Sequence, residues 1–155
     1  MLPEEGTMPY DDLLNAAKKT DAHTALLCAR LNLRGGKRRL QKGLTVAGVV
    51  ALYDSILFGM RYYIAKHKSC ALFLEYIDLS DAVSLFHALT RAGVFDDPYA
   101  FNRLSLIVER ALWQRSLSFD IDAILEEIEK MLAKLGVIPF NENILLKKSR
   151  TSYQS

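Results

Sequence analysis

The stretch TVAGVVALYDSILFGMRYYIAKH, residues Thr45 to His67, decides the fold class. Val46, Val49, Val50, Tyr53, Ile56, Leu57, Met60, Tyr63 and Ile64 recur at i, i+3, i+4 and i+7, the spacing of a wide apolar face on a helix. Ala47, Gly48, Ala51 and Gly59 are small and would let neighbouring helices approach closely. The valine run suits a strand. The length, the lack of turn residues and the basic ending Lys66-His67-Lys68 favour a helix, because cations suit a helix C-terminus. Thr45, just after Gly43, is the expected cap. Asp54 falls at the centre of the stretch, where a carboxylate costs about 2.5–3.5 kcal/mol in a membrane-spanning helix. Ser55, Arg61, Tyr62 and Tyr63 add to that penalty, so the segment reads as the core helix of a bundle, buried on most sides, with no membrane partner.

Working outward, residues 1–9 read as a flexible leader, 10–140 as a single helical domain and 141–155 as a polar, basic tail. Asp11 or Asp12 can cap a first helix carrying Leu13, Leu14, Ala17, Leu27 and Leu31 inward, which Gly35-Gly36 is expected to stop near Arg34. The segment from Ser69 to Asp78 is ambiguous between helix and extended connection. Ser80 can cap a third helix through Val83, Phe86 and Leu89, ending at Gly93. Asp97 and Pro98 form a helix-start signature. The fourth helix then turns Phe101, Leu104, Ile107, Val108, Ala111 and Leu112 inward. Ser118 or Asp120 opens a fifth, with Ile121, Ile124, Leu125, Ile128, Leu132 and Leu135 as its stripe and Glu126–Lys130 as an i,i+4 pair. Gly136 and Pro139 end it. Short connections between helices make antiparallel neighbours, so the expected fold is all-α: an up-and-down helical bundle of four main helices plus a fifth.

The 155 residues suffice for one sizeable core. Half are apolar and a quarter charged, an ordinary globular balance far from the disordered regime. A net charge of +2 neither demands nor excludes a nucleic-acid partner, so only clustering could argue for one. Cys28 and Cys70 are the only cysteines and read as buried, reduced thiols in a cytoplasmic protein. Two Cys and three scattered His are too few ligands for a metal site. No cofactor motif is present.

Three features could carry chemistry. Arg30, Arg34, Lys37, Arg38, Arg39 and Lys42 are six cations in thirteen positions with no acid among them. Such a connector could hold nucleic acid or phosphate, or could be a solvated loop between two helices. Asp54 and Arg61, seven residues apart, fall on roughly one face of an apolar helix. There they form either a polar pocket with Tyr53 or, more simply, structural bonds between helices. His23 and His87 have no acidic or nucleophilic neighbour and read as surface or half-buried residues.

The pair of helices Leu13–Arg34 and Val46–His67 resembles the HEPN superfamily of small helical proteins. The segment Glu109-Arg110-Ala111-Leu112-Trp113-Gln114-Arg115, Ser118-Phe119-Asp120 and the amphipathic last helix extend the resemblance over about residues 10–137. It implies a prokaryotic homodimer that binds a protein partner or nucleotide, or that cleaves RNA without a metal. The family's nucleases use an Arg followed, four to six intervening residues later, by a His on a late helix. Arg61 and His67 meet that spacing and would be the catalytic pair, with His67 as general acid–base and Arg61 stabilising phosphate charge. They lie on the second helix, however, and Tyr62 follows the Arg where a polar residue is usual. The late segment Arg110–Arg115 has no His. The resemblance therefore implies a member without the standard nuclease pair and without efficient nuclease activity.

Overall fold

The computed structural model describes residues 22–67, 81–113 and 120–143. They form five helices: α1 (Ala22–Gln41), α2 (Thr45–Lys66), α3 (Ala82–Arg91), α4 (Ala100–Trp113) and α5 (Ile121–Lys134). No strand occurs among the described residues. The expected leader, the possible caps Asp11, Asp12, Ser80 and Ser118, the ambiguous 69–78 segment and most of the tail lie outside them.

The core is organised by α2, which touches each of the other four helices. Its fully buried residues include Val49, Leu52, Ile56 and Met60. Gly48, Ala51, Ser55, Gly59 and Tyr62 are buried beside them. Burial on most sides is thus observed, although the most deeply buried line is centred on Leu52 and Ile56. Val46, expected inward, is exposed. Thr45 is not the cap: Leu44 holds that position and makes no side-chain capping bond. The connection from α1 is only three residues long, and the Leu44 N–H is already bonded to the Arg39 carbonyl at 2.8 Å. Thr45 therefore enters directly as the first helical residue.

α1 runs straight through Gly35-Gly36 and stops at Gln41, correcting the expected end near Arg34. The stop is made at Gly43, which has φ 78°. There the N–H groups of Gly43 and Leu44 bond back to Leu40 and Arg39, the paired bonds of a Schellman motif. α3 ends at Gly93 and α5 at Gly136 with the same bonding pattern.

Glycine is tolerated inside α1 because the packing needs it. Ala25, Ala29, Leu33, Gly36 and Leu40 form its buried line. A Cβ on Gly36 would lie 2.9 Å from Leu52 Cγ and 3.1 Å from the Gly48 carbonyl oxygen. A Cβ on Gly48 would lie 2.7 Å from Leu40 Cγ. The two helices thus cross in glycine-to-glycine contact as an antiparallel pair. One polar bond fixes their register: the fully buried Ser55 hydroxyl donates to the Ala29 carbonyl at 2.7 Å.

The remaining helices complete the core around α2. Asp81 caps α3, its carboxylate accepting from the Val83 N–H and the Ser84 hydroxyl. Asp97 accepts from the Tyr99 N–H at 2.9 Å, ahead of α4. Of the expected inward residues on α4, Phe101, Leu104 and Ala111 are buried, whereas Leu112 is 62 % exposed. Phe86, Phe95 and Phe101 stack together, with Tyr53 of α2 against Phe101. Asp120 is the cap of α5, accepting from the Ala123 N–H. Ile124, Ile128, Leu132 and Leu135 are buried as expected, joined by Met131. The Glu126–Lys130 pair forms at 3.5 Å. Leu132, Leu135 and Val137 fill the space over Gly59, so the small residues of α2 admit α5 as well as α1. No helix among the described residues is long and apolar enough to cross a membrane.

Candidate functional site

α2 carries Arg61 in its penultimate turn and His67 at its C-terminal cap. Six residues at 3.6 per turn place them about 120° apart around the axis. The Arg61 guanidinium lies over the Phe58 ring, 5.5 Å from its centroid. The His67 ring stacks on Tyr63 at 4.1 Å, and its backbone N–H closes the helix on the Tyr63 carbonyl. Each side chain thus packs on a different neighbour one turn back.

Asp54 and Arg61 do share a face. Burial pushes the half-buried Asp54 carboxyl above the usual carboxylate range, and the Arg61 charge opposes that rise. Burial likewise pushes the Tyr53 phenol up, opposed by the Ser105 hydroxyl and reinforced by Asp81 and Asp54. The Ser105 hydroxyl of α4 thus lies beside the Tyr53 phenol of α2. Sequence spacing paired Asp54 with Arg61; it could not bring Ser105 to Tyr53.

The basic cluster is not a connector. Arg30, Arg34, Lys37, Arg38 and Arg39 lie on α1 itself, and only Lys42 follows it. Helical geometry divides them. Arg38, Arg39 and Lys42 are exposed, and Arg38 and Arg39 occupy the last turn of α1, where they complement the helix dipole. Arg30 and Lys37 turn toward α5 and the chain after it. Arg30 donates from Nε to the Val137 carbonyl at 2.8 Å and lies over the Phe140 ring. Lys37 pairs with Glu129. Arg34, between them, lines a cleft of about 240 Å³ with Leu33, Lys37, Glu129, Ile138 and Phe140. The aromatic and aliphatic wall comes from residues after α5, more than a hundred positions along the chain, so no local pattern could announce it.

A larger groove of about 780 Å³ separates the start of α4 from α5, floored by Phe95, Ala100 and Met131. Ion pairs lie along it. Arg103 bonds both Asp97 and Glu127, and Lys134 bonds Asp96. Those bonds hold the Asp96 and Asp97 carboxyls below the usual range. The groove is thus laced by its own charges.

His23 and His87 are exposed, His87 edge-on to Phe86. Cys28 is a free, half-buried thiol pushed up by burial; Cys70 lies outside the described residues. Among the described residues no group of three or more His, Cys, Asp or Glu side chains is placed to hold a metal ion. Scans for a matching family, for similar curated proteins and for similar solved structures found no match.

Proposed function

We propose that this chain is a HEPN-like helical binding protein that holds a protein partner or a nucleotide and lacks efficient nuclease activity. One observation carries the second half of that reading. Arg61 and His67 lie on α2 and not on a late helix, and each packs on its own aromatic ring, Phe58 and Tyr63, whereas acid–base cleavage of RNA needs both groups available to one phosphate. Purified protein should show no metal-independent RNA cleavage above that of His67→Ala. Cleavage by the wild type that falls tenfold or more in His67→Ala would instead identify a ribonuclease using Arg61 and His67. The antiparallel α1–α2 pair supports an up-and-down path for the remaining helices. The homodimer is part of the same reading, and a clean monomer by size exclusion with light scattering would count heavily against it.

A second reading rests on Arg38, Arg39 and Lys42, which are exposed together at the end of α1. A phosphate backbone is the partner such a cluster suits. RNA binding by this surface should weaken steeply between low and moderate salt; binding indifferent to salt would exclude it.

A further inference from the structure

Arg34 differs from every other cation on α1. Its Nη1 is buried and makes no hydrogen bond. Among the described residues no carboxylate pairs with it: of the two acids lining its cleft, Glu129 is held by Lys37 and Glu142 is turned out to solvent. A buried polar nitrogen without an acceptor is costly, and a charged one more so. Natural structures contain few such groups. Arg30, one turn earlier, shows what a met guanidinium looks like here, bonded to Val137 and stacked on Phe140. That contact also fixes the Phe140 ring as a wall of the Arg34 cleft.

We propose that this cleft binds a small organic monocarboxylate, with the carboxylate on the Arg34 guanidinium and the apolar body against Leu33, Ile138 and Phe140. Three properties select that ligand class. The guanidinium presents planar paired donors that match a carboxylate. The remaining walls are apolar and aromatic. With Lys37 already met by Glu129 and Glu142 exposed to solvent, the Arg34 guanidinium is the one charge left to be met, which suits a monoanion better than a phosphate dianion. The volume of about 240 Å³ lies below the roughly 300–1,000 Å³ of sites for drug-sized ligands.

Benzoate is a suitable probe. Titrated into the full chain and followed by amide NMR, it should shift the Ile138 and Phe140 signals saturably. Benzyl alcohol, neutral and of like size, should not. Arg34→Met should weaken benzoate binding at least about tenfold, the size expected for losing a charge-assisted hydrogen bond, while Arg38→Met leaves it unchanged. Methionine keeps the apolar stem and removes the unmet charge, so without benzoate Arg34→Met should unfold at the wild-type temperature or above. Failure of benzoate to saturate, equal binding by Arg34→Met, or displacement by equimolar inorganic phosphate would each overturn the assignment. So would an Arg34→Met protein that unfolds well below wild type, since the guanidinium would then serve the fold rather than a ligand.

Discussion

Gly35 and Gly36 are adjacent and identical, yet their surroundings demand opposite things. A Cβ on Gly35 would meet only the far end of the Arg39 side chain, at 2.8 Å, and that end can swing away. Gly35→Ala should therefore stabilise the protein by up to about 1 kcal/mol, the helix-propensity gain over glycine. On Gly36 the same atom strikes Leu52 and the backbone of Gly48. Overpacking costs roughly 1–3 kcal/mol and outweighs the propensity gain, so Gly36→Ala and Gly48→Ala should both destabilise. Urea denaturation of the three variants measures this directly. Equal effects at residues 35 and 36 would refute the glycine-to-glycine crossing. Sequence alone reads Gly-Gly as a stop because glycine is costly within a helix. The overlooked signal was that the apolar line Ala29, Leu33, Leu40 continues through Gly36 at helical spacing.

Helix boundaries follow local chemistry wherever the connection is long enough to allow it. Asp120 and Gly136 bracket α5, and both were legible because capping and the left-handed glycine involve only residues a few positions apart. Asp120→Ala should cost about 0.5–2 kcal/mol, read as a lower thermal midpoint, with Asp122→Ala as the milder comparison. The start of α2 was misread for the converse reason. Leu44 is committed to ending α1, so no residue is left to cap with its side chain. The outer face of α4 also escapes periodicity. Leu112 sits within the apolar pattern but is exposed, as is Trp113 at 82 %, because no described helix packs there. Arg103 links the start of α4 to α5 through exposed ion pairs. Its replacement by Ala should cost no more than about 1 kcal/mol, and that cost should shrink in high salt.

Across the whole molecule the titrating groups pull in opposite directions. Asp54 is held above the usual carboxylate range by burial. The stability it contributes is complete below its unfolded value and is lost as pH rises through its folded value. Asp96 and Asp97 are held low by Lys134 and Arg103. Their contribution is present above the ordinary range and lost as pH falls through their folded values. Asp54→Asn should therefore flatten the decline on the neutral side and leave the acid-side loss intact, as followed by urea midpoints across that range. An unchanged profile would show that Arg61 fully compensates the burial of Asp54. By itself the sequence determined the all-helical class and the central place of the Thr45–His67 stretch, and it offered Asp120 as one of two caps for α5, because periodicity and capping are properties of neighbouring residues; the Asp97–Pro98 start it expected for α4 falls short of the helix, which begins at Ala100. Tertiary structure alone decided that Gly36 meets Gly48, that Ser105 lies beside Tyr53, and that Phe140 closes a cleft over Arg34. Each of those contacts joins residues far apart in the chain, and only the packing of α2 against its neighbours brings them together.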